Sequence, residues 1–187
     1  RAVQDITGVD LALARPAVSE QSRGGDDGPF AATNTTDGDP ATYWAAEDGS
    51  ETGTVEIELD RPSPVDHVSI AEFLPLGQRI RSFSVQCRTV DGWTTVARGT
   101  TVGNRRFVRF PAVMANRVRV VVEDARSSPT IREITVHSGP PRVEIAAGER
   151  AFVDSTEVYL AADRDHARIH YTLDGSEPRE GTAYEGP

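Results

Sequence analysis

An all-β sandwich is the architecture this sequence predicts, and three observations predict it. Apolar residues recur at every second position in several short runs, turn-forming clusters separate those runs at sandwich-like spacing, and no stretch carries convincing helical amphipathicity. Alternation matters because successive side chains on an extended chain point to opposite faces, so each run offers one face to a core and the other to water.

The runs follow one another as Val55, Ile57, Leu59; then Val68, Ile70; then Phe83, Val85, Cys87; then Val118, Val120, Val122. Between them stand Asp60-Arg-Pro-Ser-Pro64, Asp91-Gly92, Gly99 and Gly103-Asn104, all residues that favour turns. Trp93 follows Asp91-Gly92 at the tip of an expected hairpin, where partial burial in a strand and a binding role are both open to it. A boundary is expected at Ser138-Gly139-Pro140-Pro141, since two prolines supply no ladder donors and the pattern restarts beyond them. After it, strands are expected at Val143 to Ala147, Val158 to Ala161 and Arg168 to Leu173, as the first half of a small β-sandwich either truncated or leaning on the first domain. Residues 1–10 read as the frayed end of a preceding helix or as a linker.

Composition narrows the functional classes. A length of 187 residues excludes a complete (β/α)₈ barrel, which needs about 250. All 20 basic residues are Arg, against 29 acidic ones, for a net charge of -9, so neither a nucleic acid nor an anionic membrane surface is an expected partner. The absence of Lys suggests a GC-rich bacterial source. No run approaches the roughly 18 apolar residues of a membrane-spanning helix, and the lone Cys87 has no partner for an intramolecular disulfide. The chain begins at Arg1-Ala-Val and stops at Gly186-Pro187 in mid-pattern, as a piece of something longer would.

No catalytic residues are expected. Glycoside hydrolysis needs two carboxylates fixed across a cleft, whereas Asp26-Asp27, Glu47-Asp48 and Glu123-Asp124 read as solvated loop charges. A strained Gly-x-Ser-x-Gly elbow is absent, Cys87 sits in a strand as a small buried thiol, and His67, His137, His166 and His170 are scattered rather than set at zinc-ligand spacing.

The stretch richest in chemistry is Asn34-Thr-Thr-Asp37-Gly-Asp39-Pro-Ala-Thr42-Tyr-Trp44. Oxygen donors crowd there around a glycine able to take positive φ, which suits a hard cation such as Ca²⁺ with its six to eight oxygen ligands, at about 2.3–2.6 Å. Glu133, in Ile131-Arg-Glu-Ile-Thr-Val136, breaks an otherwise apolar final strand and is a candidate to complete the shell. Asp-Gly and Asp-Pro also make ordinary turns, and spacing alone leaves both readings open.

Taken with Phe30 to Trp44, Val55-Glu-Ile-Glu-Leu59 and Ile131 to Val136, the chain resembles a discoidin domain, also called factor V/VIII type C, over about residues 11–138. That resemblance implies a jelly-roll sandwich, often with one structural Ca²⁺, and bacterial relatives that include carbohydrate-binding module family 32. It places the carbonyl of Asn34, Asp37, the carbonyl of Asp39, Thr42 and Glu133 around the ion. A cation shared by Asp37 and Glu133 would tie the first loop to the last strand, so that metal binding acts as folding free energy.

Three further stretches, Ile70 to Val85, Gly99 to Pro111 and Asp124 to Ile131, resemble the discoidin-like domain that follows the catalytic barrel in bacterial α-L-fucosidases of glycoside hydrolase family 29. The implied role is a non-catalytic ancillary module of a secreted enzyme, binding a fucose- or galactose-containing glycan. The alternative is a structural module docked against the upstream catalytic barrel of the same polypeptide. Sugar is then expected on the loops at one end, with Glu47, Asp48, Glu72, Arg79 and Arg126 as candidate contacts, because charged groups make the stronger hydrogen bonds to hydroxyls. Ala45-Ala46 and Glu72-Phe73 stand where galactose-binding relatives often carry a His and an Arg pair. Residues 142–187, with Ile169-His-Tyr-Thr-Leu-Asp-Gly-Ser-Glu-Pro178, resemble the C-terminal module of chitobiases and bacterial β-hexosaminidases, with residues 139–141 as the linker.

Overall fold

Two 20-residue strands determine the architecture of the first unit because each passes through both layers of the sandwich. In the computed structural model, which describes residues 9–139, 143–147, 155–162, 168–178 and 181–186, the chain divides into Arg1–Gly139 and Pro140–Pro187. The first unit contains β1 (Ala17–Val18), β2 (Trp44–Ala45), β3 (Gly53–Glu72), β4 (Ile80–Thr89), β5 (Gly92–Gly99), β6 (Arg106–Ala125) and β7 (Thr130–His137). Its pairing is antiparallel throughout, in the order β2-β7-β3-β6-β4-β5, with β1 added on β3.

Residues 53–58 of β3 pair with 117–122 of β6, whereas 63–70 pair with 106–115. The register shifts between Glu58 and Ser63, where Asp60-Arg-Pro-Ser-Pro64 lies. Proline lacks the N–H a ladder needs, so pairing lapses there and the strand bends into the second layer without ending. The two runs expected as separate strands at Val55–Leu59 and Val68–Ile70 are therefore one element. One layer is β5-β4-β6-β3-β1, built on the second half of β6 and the first half of β3. The other is β6-β3-β7-β2.

Between the layers, Val55, Ile57, Val118, Val120, Phe83 and Val85 meet Val65, Val68, Ile70, Ile131, Ile134 and Trp44 in one buried cluster. This is the all-β sandwich that the alternation predicts. Trp44 is fully enclosed, and a Cβ on Gly53 would sit 2.5 Å from its ring, so that strand start must be glycine for the indole to lie where it does. Cys87 is wholly buried as well, and burial pushes its thiol up to about 12, an inert group.

In the second unit β8 (Val143–Ala147) pairs with β9 (Val158–Ala162), and β10 (His170–Tyr171) with β11 (Thr182–Ala183). Ile145 and Tyr159 remain largely exposed. His170 is exposed too. The strand expected from Arg168 to Leu173 is shorter, at His170–Tyr171, and His166 lies outside the described residues.

Candidate functional site

The acidic loop folds back on itself through its own side chains. Asp37 accepts from the Asp39 backbone N–H at 2.9 Å with one carboxylate oxygen and from the Thr42 hydroxyl at 2.7 Å with the other. The same Thr42 hydroxyl lies 3.1 Å from the Asp39 carbonyl, so three of the expected oxygen donors converge on one spot. Gly38 makes the turn at φ +74°. Asn34, in the 3₁₀ turn Ala32–Thr35, donates its side-chain amide to the carbonyls of Pro29 at 2.9 Å and Tyr43 at 3.0 Å, closing the loop at its base.

That 3₁₀ turn packs against β7, the strand that carries Glu133. Glu133 is only 9% exposed, and its carboxyl is pushed up to about 7, first by burial and then by the negative charges of Asp37 and Asp10; Arg105 and Arg132 pull the other way. A buried carboxylate within electrostatic reach of two others is the charge arrangement that a cation relieves. The donor set is two carboxylates with neutral hydroxyl and carbonyl oxygens, which fits a hard divalent ion. Among the described residues no cluster holds three or more carboxylate, imidazole or thiolate groups able to bind a metal.

The expected sugar contacts separate into two groups. Glu47 and Asp48 are exposed in the loop after β2, with Asp48 paired to Arg23 at 2.7 Å and the Arg23 guanidinium 5.5 Å from the Phe30 ring. Arg126 is exposed. Glu72 is a correction: it is 1% exposed and has no free face for a ligand. One of its carboxylate oxygens accepts from the backbone N–H of Arg79 at 2.7 Å and of Ile80 at 2.9 Å, and the other from Gly103 at 2.7 Å. An acid at the end of an apolar strand thus serves as an internal clamp on two loops, since three backbone donors replace the water it loses. Arg79 is half-buried, and its guanidinium donates to the carbonyls of Ser128 at 2.7 Å and Leu76 at 3.2 Å.

Those bonds gather the loops at one end of the sandwich. Gly49 donates to the Ser128 hydroxyl at 3.0 Å, Ala46 to the Pro129 carbonyl at 3.0 Å, and Arg126 to the Arg79 carbonyl at 2.9 Å. Phe30, Tyr43 and Phe73 form a row beside them, with centroids 5.1 and 4.1 Å apart, which sequence inspection missed because the three lie on separate loops. The histidines are not all scattered: β3 and β7 bring His67 and His137 into a buried stack at 4.9 Å, with His67 Nδ1 2.6 Å from Asp66. Their sequence separation hides the pairing. Trp93 is half-buried, with the Arg119 guanidinium 4.1 Å from its ring centroid.

A jelly roll of this topology, with an acidic loop set against its last strand and further loops gathered at one end, is the architecture of discoidin domains. Residues 16–134 match the F5/8 type C domain family, and the chain belongs to that family. Within it, the sequence is 34% identical to Alpha-L-fucosidase 1 of Arabidopsis thaliana over 124 residues, which are 64% of this chain and 24% of that protein. The chain spans about a quarter of the length of the curated relatives it matches. It superimposes on a Ruminococcus gnavus GH29 fucosidase solved with fucose at a TM-score of 0.66 and 29% identity, covering 74% of this chain and 28% of that one. A chitosan-binding module of Paenibacillus sp. IK-5, solved with chitotriose, shares the fold at a TM-score of 0.61 and 23% identity, covering 69% of this chain and all of that one. Residues 158–187 match a second family, described as Fn3 associated.

Proposed function

We propose that this chain is a non-catalytic, glycan-binding accessory module of a secreted glycoside hydrolase of the α-L-fucosidase type, braced by a structural Ca²⁺. The observation that carries the reading is the loop end, where Glu47, Asp48, Arg79 and Arg126 lie on loops cross-linked through Ser128 and Pro129 on the scaffold of an F5/8 type C domain. Sequence kinship with fucosidases supports the enzyme context. A weak sugar affinity suffices for such a module, because tethering raises the local concentration of its enzyme on the glycan.

The ion would be held by Asp37 and Glu133 with Thr42 and the carbonyls of Asn34 and Asp39. Its contribution is cross-linking charge, with no role in bond cleavage. The second unit extends the same polypeptide as a chitobiase-type C-terminal module.

Docking against the catalytic barrel is a second reading, favoured by one observation: Leu74 and Leu76 are each 41% exposed on the 3₁₀ turn Leu74–Leu76 at this same end. Calorimetry of the isolated chain against fucosylated, galactosylated and plain polysaccharides separates the two. Saturable binding weakened in Arg126→Ala is expected for the module. Absence of binding, with activity restored on mixing the chain with its barrel, would instead establish docking.

A further inference from the structure

The buried carboxylate of Glu72 ties together two loops that enclose a small pocket. One wall is Gln78 to Arg81, fixed by the Arg79 and Ile80 N–H groups; the other is the 101–103 turn, fixed by the Gly103 N–H and by the bond from the Glu72 N–H to the Gly103 carbonyl at 2.9 Å. Arg126 closes the third side through its backbone bond to Arg79. The pocket has a volume of about 110 Å³ and is lined by Gln78, Ile80, Arg81, Thr101 and Arg126.

We propose that this pocket takes the carboxylate of an acidic sugar, so that the module reads a uronate-type residue within its glycan. The inference rests on the glycan-binding reading above and assigns part of its specificity. Size comes first: sites for drug-sized ligands run to roughly 300–1,000 Å³, so this one admits a single group with part of a ring and nothing larger. Chemistry comes second. Two arginines, Arg81 and Arg126, line the pocket, with Gln78 and Thr101 beside them.

Of the acids nearby, Glu72 spends its carboxylate on three backbone N–H groups, and Asp124, 3.6 Å from Arg81, makes only a half-exposed pair of little energetic weight. In a chain of net charge -9, a pocket lined by two arginines and no acid is distinctive. Planar guanidinium groups match a carboxylate in shape and in charge, and the bonds they make to it are the stronger class. Ile80, at 2% exposure, supplies an apolar floor for the C–H face of the ring.

The test is an amide NMR titration of the whole 187-residue chain, following the Arg81, Gly103 and Arg126 backbone signals. The probes are D-glucuronate and D-galacturonate, D-glucose and D-galactose as neutral counterparts, acetate as a free anion, and one fucosylated oligosaccharide. Either uronate is expected to shift these signals saturably, acetate more weakly, and the neutral hexoses not at all. Arg126→Met and Arg81→Met should each weaken uronate binding about tenfold, the worth of one charged hydrogen bond. Neutral hexoses shifting the same signals as strongly, acetate binding as tightly as the uronates, or uronate binding unchanged in both variants would each overturn the proposal. Binding of the fucosylated probe weakened by Arg126→Met and untouched by Arg81→Met, with no uronate response, removes the pocket assignment and keeps the module. No response to any sugar removes both.

Discussion

Glu133 lies on the final strand with its carboxyl raised to about 7 by burial and by the charges of Asp37 and Asp10. The ordinary value of about 4.5 applies once the chain unfolds, so between these limits the native state holds a proton that the unfolded state has released. Stability from this group is therefore complete below about pH 4.5 and is lost as pH rises through about 7. In chelator, the melting temperature of the natural chain is expected to fall across that window by a few degrees relative to Glu133→Gln. Parallel pH profiles of the two proteins would refute the assignment.

β3 ends in a residue that alternation alone would assign to solvent or to a ligand. Glu72 instead terminates the ladder by accepting three backbone N–H groups from two other segments, and so converts loose loops into a fixed end of the sandwich. Next to it, Phe73 stacks on Tyr43 at 4.1 Å and joins the acidic loop to the same end. Glu72→Ala strands three donors in a buried site, each costing about 1–3 kcal/mol, so a loss of roughly 3 kcal/mol or more is expected in denaturant titration. Glu72→Gln keeps one acceptor oxygen and should fall between that variant and the natural chain. A loss below about 1 kcal/mol for the alanine variant would show that water replaces the carboxylate and that the clamp is unimportant.

The first unit as a whole is closed by contacts between segments far apart in the chain. Asp10 accepts from the Val136 N–H at 2.9 Å, and the acidic loop lies against β7, so a cation bound by Asp37 and Glu133 would join the first loop to the last strand. Any ligand that binds only the folded state stabilises it by mass action. Removal of divalent ions is accordingly expected to lower the melting temperature of the natural chain, and Asp37→Ala to abolish the difference. A melting curve unchanged by chelator in the natural chain would refute the metal assignment.

Alternation and turn chemistry by themselves determined that this chain forms an antiparallel sandwich, which residues face its core, and that Asp37, Asp39 and Thr42 share one loop. Those features depend on neighbours a few positions apart, and φ/ψ preference and period-two patterning act at that range. Register is different in kind. The shift between Glu58 and Ser63 sends β3 into the second layer, and from that bend follow the burial of Glu72, the His67–His137 stack and the approach of Glu133 to the acidic loop. The pocket of Arg81 and Arg126 likewise joins segments with no local signal linking them. Such meetings arise where tertiary packing brings distant backbone together, and a one-residue slip would turn every side chain of a strand to its opposite face.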